Sequence, residues 1–282
     1  MLDKIKLSIN YFIGSFFVFY DILKEKYEGY YEKESYYCFG GLGCYCCGGY
    51  FGYKAYCLHK YNVFSYDRFY QKFIRLIENK ETYSIHTEKL ADEEYFMYDN
   101  LKMKNILSNF VESYDSPNLK QYSFYDNDIE MTKISFYHYS LPFHLSSTSI
   151  DGKQDSYAED FVKHYQLDTV LDLFDYLYQN RDKNLSIFDS VSTMKENYAI
   201  KSNMASLTFS DQFSNEKITY LVGDYTGYMQ DGQYVNESGK KIDCYEVHIF
   251  VDNEEYGFSL MTKDKKIDKR YVLELINTLV VE

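Results

Sequence analysis

Five of the six cysteines fall within one twenty-residue window, at Cys38, Cys44, Cys46, Cys47 and Cys57, with His59 just beyond and Cys244 far away. Thiolates and imidazoles at such density are the ligands zinc takes, four at a time and in tetrahedral geometry. Cys44 and Cys47 have the C-x₂-C spacing of a zinc knuckle, and Cys57 with His59 would complete a four-ligand set. The glycines around them leave the backbone free to turn tightly about an ion. The set departs from a zinc finger in two ways. Only nine residues separate Cys47 from Cys57, and a single residue separates Cys57 from His59.

Three other uses of the cluster compete with zinc. Disulfides need an exported protein, and five clustered cysteines give no legible pairing. Thiol redox chemistry would use the C-x-x-C of Cys44 and Cys47, and lipid attachment would use cysteines beside an apolar segment. The plainest use leads: free cysteines as small buried hydrophobes. If the chain is an enzyme, this cluster with His59 is the place to start, because a reactive thiol needs a neighbouring imidazole or helix end to lower its pKa.

Other chemistry is sparse, and catalytic residues are not identified. The chain has no phosphate-cradling G-x-x-x-x-G-K loop, no G-x-G-x-x-G, no G-x-S-x-G and no H-E-x-x-H. Asp126 and Asp128 form a close carboxylate pair of the kind that arises by chance among forty-three acidic residues. His138 and His144 lie on a strand and the turn after it, where a half-buried histidine satisfied by its neighbours is the expectation. Asp151, Asp155, Glu159 and Asp160 do not have calcium-loop spacing, and Asp155 with Ser156 reads as a helix start.

The elements that would position these residues follow from periodicity. Ile5, Ile9, Phe12, Phe16, Phe19 and Leu23 lie at helical spacing. Further helices are expected from Ser65 to about Asn79, from about Asp99 to Tyr114, and over 157–178 as one helix or two broken near Asp168. Strands are expected at 82–86, at 121–143, and then at 198–201, 206–209, 218–222, 244–251 and 256–262. Asp252, Asn253 and Glu254 make the last two a hairpin. Asp231-Gly232 and Ser238-Gly239 mark turns, and Gly223 and Gly227 bracket a bulge. Asp268 caps a closing helix whose Val272, Leu275, Ile276 and Leu279 form the i, i+3, i+4, i+7 stripe that docks on a sheet.

Composition narrows the classes of function. The 282 residues carry a formal charge of −13, with 34 Tyr, 21 Phe, no Trp and two Pro. Such an acidic chain without a dense basic run repels phosphate backbones, so nucleic acid is excluded as a bulk-charge partner. Residues 7–20 and 35–53 carry no charge. The first run is short of the roughly 20 residues that span a bilayer. The second is Gly-rich, which makes a poor helix in water but is tolerated in a membrane, where Gly48 and Gly52 form one G-x-x-x-G.

The expectation is therefore an α+β protein: a helical N-terminal part, an antiparallel sheet flanked by helices, and a C-terminal helix packed on the sheet. Three regions are expected: an apolar Gly/Cys-rich part at 1–60, a mixed helix and strand part at 61–145, and an α+β domain at 155–282, with the polar stretch 146–156 between them. The leading function is that of a non-catalytic, acidic binding protein whose partner is another protein, a basic one, since Tyr is enriched at interfaces. The alternatives are a zinc- or thiol-dependent protein using the 38–59 cluster, and a membrane-tethered protein anchored through residues 1–60. A cytoplasmic location is preferred over a membrane-associated one.

Overall fold

A computed structural model describes residues 43–62, 67–88, 95–105, 110–116, 119–127, 129–140, 145, 148–150, 153–208, 213–235, 239–252 and 254–282. The expected helix at 5–23, Cys38, Ser65, Asp128, His144 and Asp151 lie outside the described residues. The chain divides into two compact units, residues 1–53 and 54–282, and the division falls inside the first helix, α1 (Gly43–Asn62). The second unit is an α+β fold, mostly an antiparallel sheet with helices packed on it.

Its frame is one eight-stranded sheet. In spatial order it runs β1 (Glu81–Ile85), β9 (Phe213–Gly223), β10 (Thr226–Val235), β11 (Lys241–Val251), β12 (Glu254–Thr262), β6 (Ile129–Tyr139), β5 (Leu119–Asp126) and β4 (Val111–Ser116). Only β1 pairs in parallel, with β9. Strands from 81–139 and from 213–262 thus sit side by side in one sheet. The stretch between them holds a small hairpin of β7 (Thr148–Ile150) and β8 (Lys153–Asp155).

A sheet this wide must cover both faces, and alternation along each strand divides the labour. On β11, Tyr245, Val247 and Ile249 enter one core, while Glu246, His248 and Phe250 face the opposite layer. The first core is roofed by α6 (Lys269–Ile276) and a three-stranded sheet of β13 (Val280–Val281), β3 (Leu101–Lys104) and β2 (Tyr95–Tyr98). Val272, Leu275, Ile276 and Leu279 supply the expected docking stripe, and Asp268 caps the helix by accepting from the Tyr271 N–H at 2.9 Å. The second core collects Cys57 and Tyr61 of α1 with α2 (Asp67–Glu78), α3 (Tyr157–His164), α4 (Val170–Gln179) and α5 (Val191–Ser206). Phe174 of α4 joins the layers, its ring 5.1 Å from both Phe73 of α2 and Tyr228 of β10.

Four local expectations are corrected. The described residues of the expected helix at 99–114 form β3 and the start of β4, with Asp99 in the left-handed region (φ 52°) turning β2 into β3, while residues 106–109 lie outside the described residues. Leu101 and Met103 are buried while Lys102 and Lys104 are not, so the period there is two. The expected strands at 198–201 and 206–209 fall instead in α5 and at its end, because a face that buries Glu196 and Asn203 beside Met194, Ile200 and Met204 hides the apolar stripe. Asp231-Gly232 lies within β10 at a register shift, and Gly223 opens the β9–β10 turn. Gly48, Gly49 and Gly52 lie inside α1, although glycine is a poor helix former.

The break near Asp168 separates α3 from α4, which starts with a full capping box. The Asp172 N–H donates to Thr169 Oγ1 at 3.1 Å and the Thr169 N–H donates to Asp172 Oδ2 at 2.9 Å. Thr169→Ala should cost about 1 kcal/mol. A urea unfolding curve should show a lower midpoint with an unchanged slope; an unchanged midpoint would remove the cap from the account.

Candidate functional site

The cysteine cluster is only partly visible. Cys44 and Cys47 lie in α1, with side chains outside the described residues. Cys57 is buried in the helical core, whereas His59 is exposed. Two positions along an α-helix are about 200° apart around its axis, so this pair faces apart rather than toward one ion. Among the described residues no group of three His, Cys, Asp or Glu side chains is placed to hold a metal. Cys244 is a free, buried thiol on β11, and burial pushes its pKa up to about 12, leaving it protonated and unreactive at neutral pH.

The densest chemistry surrounds His248, which the sequence presents only as a polar position in an alternating strand. The residue is 4% exposed and lies between carboxylates on its own strand and the next. Its Nδ1 is 2.7 Å from Glu255 Oε1 and 3.0 Å from the hydroxyl of Tyr137 on β6; its Nε2 faces Glu246 Oε2 at 3.8 Å. The Tyr137 hydroxyl donates to the Val247 carbonyl at 2.8 Å, so its single proton is committed. Nδ1 must then be the donor, forked between Glu255 and the Tyr137 oxygen. Tyr228 of β10 stacks on the imidazole, centroids 4.4 Å apart and rings 17° from parallel.

Backbone on both sides makes room for this group. A Cβ on Gly257 of β12 would lie 2.2 Å from the Val247 carbonyl oxygen and 2.5 Å from the Tyr137 hydroxyl oxygen. One on Gly227 of β10 would lie 2.0 Å from the His248 carbonyl oxygen. Glycine at 257 is what lets Tyr137 reach across β12 to β11.

Burial works against charge on His248, but the neighbouring carboxylates of Glu246 and Glu255 outweigh that and raise its pKa to about 9. Burial also pushes the hydroxyls of Tyr137 and Tyr228 well above the usual tyrosine range, with the same carboxylates adding to it. The centre is therefore an imidazolium held by carboxylates and capped by neutral phenols. It is sealed from solvent, which suits anchoring rather than turnover.

A second histidine cluster lies nearer the surface. His138 of β6 bonds Asp99 Oδ2 through Nδ1 at 2.6 Å and Glu254 Oε2 through Nε2 at 3.1 Å, and stacks on Tyr256 at 4.4 Å. The Tyr256 hydroxyl donates to the same Glu254 oxygen at 2.5 Å, and this bond, with that of His138, holds the Glu254 carboxyl below its usual range. With both ring nitrogens engaged, His138 ties the β2–β3 turn to the large sheet.

The third feature is an edge. Among the described residues β4 pairs only with β5, and a register shift between Glu112 and Tyr114 interrupts that pairing. Val111 is 58% exposed and Tyr114 51%, with Glu112 and Asp115 exposed between and beside them. Tyr125 and Ile129 stand exposed at the neighbouring hairpin tip. An unpaired strand edge presents a row of N–H and C=O groups ready to pair with another chain.

No protein-family model matches the chain, and no characterised protein matches it. A solved protein from Bacteroides thetaiotaomicron is 12% identical with a TM-score of 0.32; the match covers 68% of this chain and 49% of that one. A likeness this distant carries no argument.

The raised pKa of His248 has a definite consequence for stability. A histidine whose folded pKa of about 9 exceeds its unfolded value of 6.5 contributes stability below pH 6.5, and that contribution is lost as pH rises through 9. Unfolding free energies from pH 6.5 to 8.5 should fall for the native chain and stay flatter for His248→Gln, a comparison that subtracts the thiol and phenol contributions. Parallel curves would mean that His248 is neutral.

Proposed function

We propose that this is a non-catalytic binding protein that receives an extended, basic segment of another protein on the edge strand β4. The observation that carries the reading is the open edge itself, with Val111 and Tyr114 exposed along it and Glu112 and Asp115 beside them. Strand addition gives affinity through main-chain hydrogen bonds and specificity through alternate side chains. The formal charge of −13 favours encounter with a cationic segment.

The test places a photo-crosslinking benzoylphenylalanine at Val111, with a control at Phe188, which is 82% exposed elsewhere in the chain. Irradiation in cell extract should join Val111, and not Phe188, to an extended Lys/Arg-rich segment of one protein. Glu112→Lys with Asp115→Lys should reduce that adduct about tenfold or more, the size expected when like charges replace complementary ones across an interface. Adducts at Val111 no more specific than those at Phe188 would end the reading.

A second reading has an observation of its own. On α1, Tyr50, Phe51, Tyr53 and Tyr56 are exposed, the first three at the end of the uncharged run 35–53. Aromatic rings of this kind seat at the water–bilayer boundary. Among the described residues no helix is long and apolar enough to cross a membrane, so this reading is one of tethering. Flotation with neutral phosphatidylcholine vesicles should carry the full chain upward and lose it in a Tyr50→Ser, Phe51→Ser, Tyr53→Ser variant; a chain that never floats would exclude it.

A further inference from the structure

The edge strand β4 sorts its side chains by kind, and a bulge does the sorting. In a regular strand Val111 and Tyr114, three positions apart, would point to opposite faces. Here the pairing with β5 shifts between Glu112 and Tyr114, which sets Val111 opposite Ser123 and Tyr114 opposite Gln121. Ser123 and Gln121 are two apart on β5 and share a face, so Val111 and Tyr114 share it too. Ser113 is the extra residue of the bulge, and its Oγ lies 3.2 Å from that of Ser123 on the same side.

The other face of β4 is acidic. Glu112 stands opposite Tyr122, and Asp115 opposite Lys120. The Lys120 ammonium lies over the Tyr122 ring, 5.6 Å from its centroid, and pairs with Glu112 Oε2 at 3.2 Å. Glu112 is thus answered within the fold, while among the described residues Asp115 has no ion-pair partner. The edge therefore carries two lanes, one apolar and aromatic, the other bearing an uncompensated carboxylate. Charge and a bulge also guard an edge against stray pairing. A guard, however, gives no reason to collect Val111 and Tyr114, each more than half exposed, on one side.

Given the strand addition proposed above, on which this rests, we infer that the segment received by β4 is amphipathic with period two. Its apolar or aromatic residues lie beside Val111 and Tyr114, and the Lys or Arg residues between them point to the Asp115 side. Successive residues of an extended chain point to opposite faces, so each meets the lane that suits it. Cross-strand neighbours supply the discrimination, apolar against aromatic on one face and opposite charges on the other. A run of consecutive cations sets every second one against the apolar lane and fits less well.

Fluorescence anisotropy of short labelled peptides, titrated with the full chain in near-physiological salt, tests the pattern. Two probes share one composition: the first alternates Val and Lys, and the second joins a block of Lys to a block of Val. The alternating peptide should bind saturably and about tenfold tighter than the block peptide, the size that several cross-strand pairs give together. Asp115→Lys should turn the preference from the alternating Val/Lys peptide to an alternating Val/Glu one. Tyr114→Ser should weaken the Val/Lys peptide and leave its preference over Val/Glu intact. Equal affinity for the alternating and block peptides, with Asp115→Lys weakening both, would overturn the period-two pattern and leave strand addition standing. No saturable binding of either peptide, or binding that ignores Asp115→Lys, would overturn both and leave the bulge and charges as a guard on the edge.

Discussion

A charge sealed inside a protein must be neutralised where it lies, and the central strands are arranged around that requirement at His248. Its imidazolium needs a carboxylate within reach, and Glu255 supplies one from β12 at 2.7 Å while Glu246 stands on the same strand at 3.8 Å. Tyr137 can complete the set only by crossing β12, which calls for a residue without a side chain at 257. Removing one partner of a buried, hydrogen-bonded charge is costly because the remaining charge is left uncompensated. Three adjacent strands, β11, β12 and β6, are thereby held in one register by side chains as well as by their backbone ladders.

The rest of the second unit follows from a wide sheet with two unlike faces. The face toward α6 and the small sheet is apolar from Leu221 through Met229, Val247 and Phe258 to Phe136, and its roof packs on it by hydrophobic contact, with Lys269 of α6 also bridging to Glu81 and Asp231. The opposite face is apolar on β9 and β10, where the helices pack, and polar toward β12, β6 and β5. There Ser123, Ser135 and Glu255 are buried alongside His248. Buried polar groups must bond one another, and they do: Ser123 donates to Glu130 at 2.6 Å and Gln121 to Ser135 at 3.1 Å. The sheet ends at β4, whose backbone edge and exposed Val111 and Tyr114 support the binding role proposed for it.

Legibility in the sequence tracked how directly a pattern reports burial. The β11–β12 hairpin and the capped final helix were readable because alternation and the i, i+3, i+4, i+7 stripe are local signals of a local partner. Met103 misled because, with Ile106, Leu107, Phe110 and Val111, it also fits a helical stripe. The α5 helix was missed because its inward face includes Glu196 and Asn203, whose burial depends on partners such as His164 and the helix's own carbonyls. The His248 centre drew no attention for a similar reason. Glu246, Glu255, Tyr137, Gly227 and Gly257 come from four strands, and no spacing in the chain announces their meeting.

His248 is charged at neutral pH inside the sheet, and its ring nitrogens report that charge directly. Nitrogen-15 NMR of imidazole-labelled protein at pH 7.5, with His248 assigned by its loss in a His248→Gln variant, reads the protonation state of each nitrogen. Both nitrogens of His248 should carry protons and show the nearly equal shifts of an imidazolium. A His248 spectrum with one protonated and one bare nitrogen would contradict the charged centre and the organisation of β11, β12 and β6 around it.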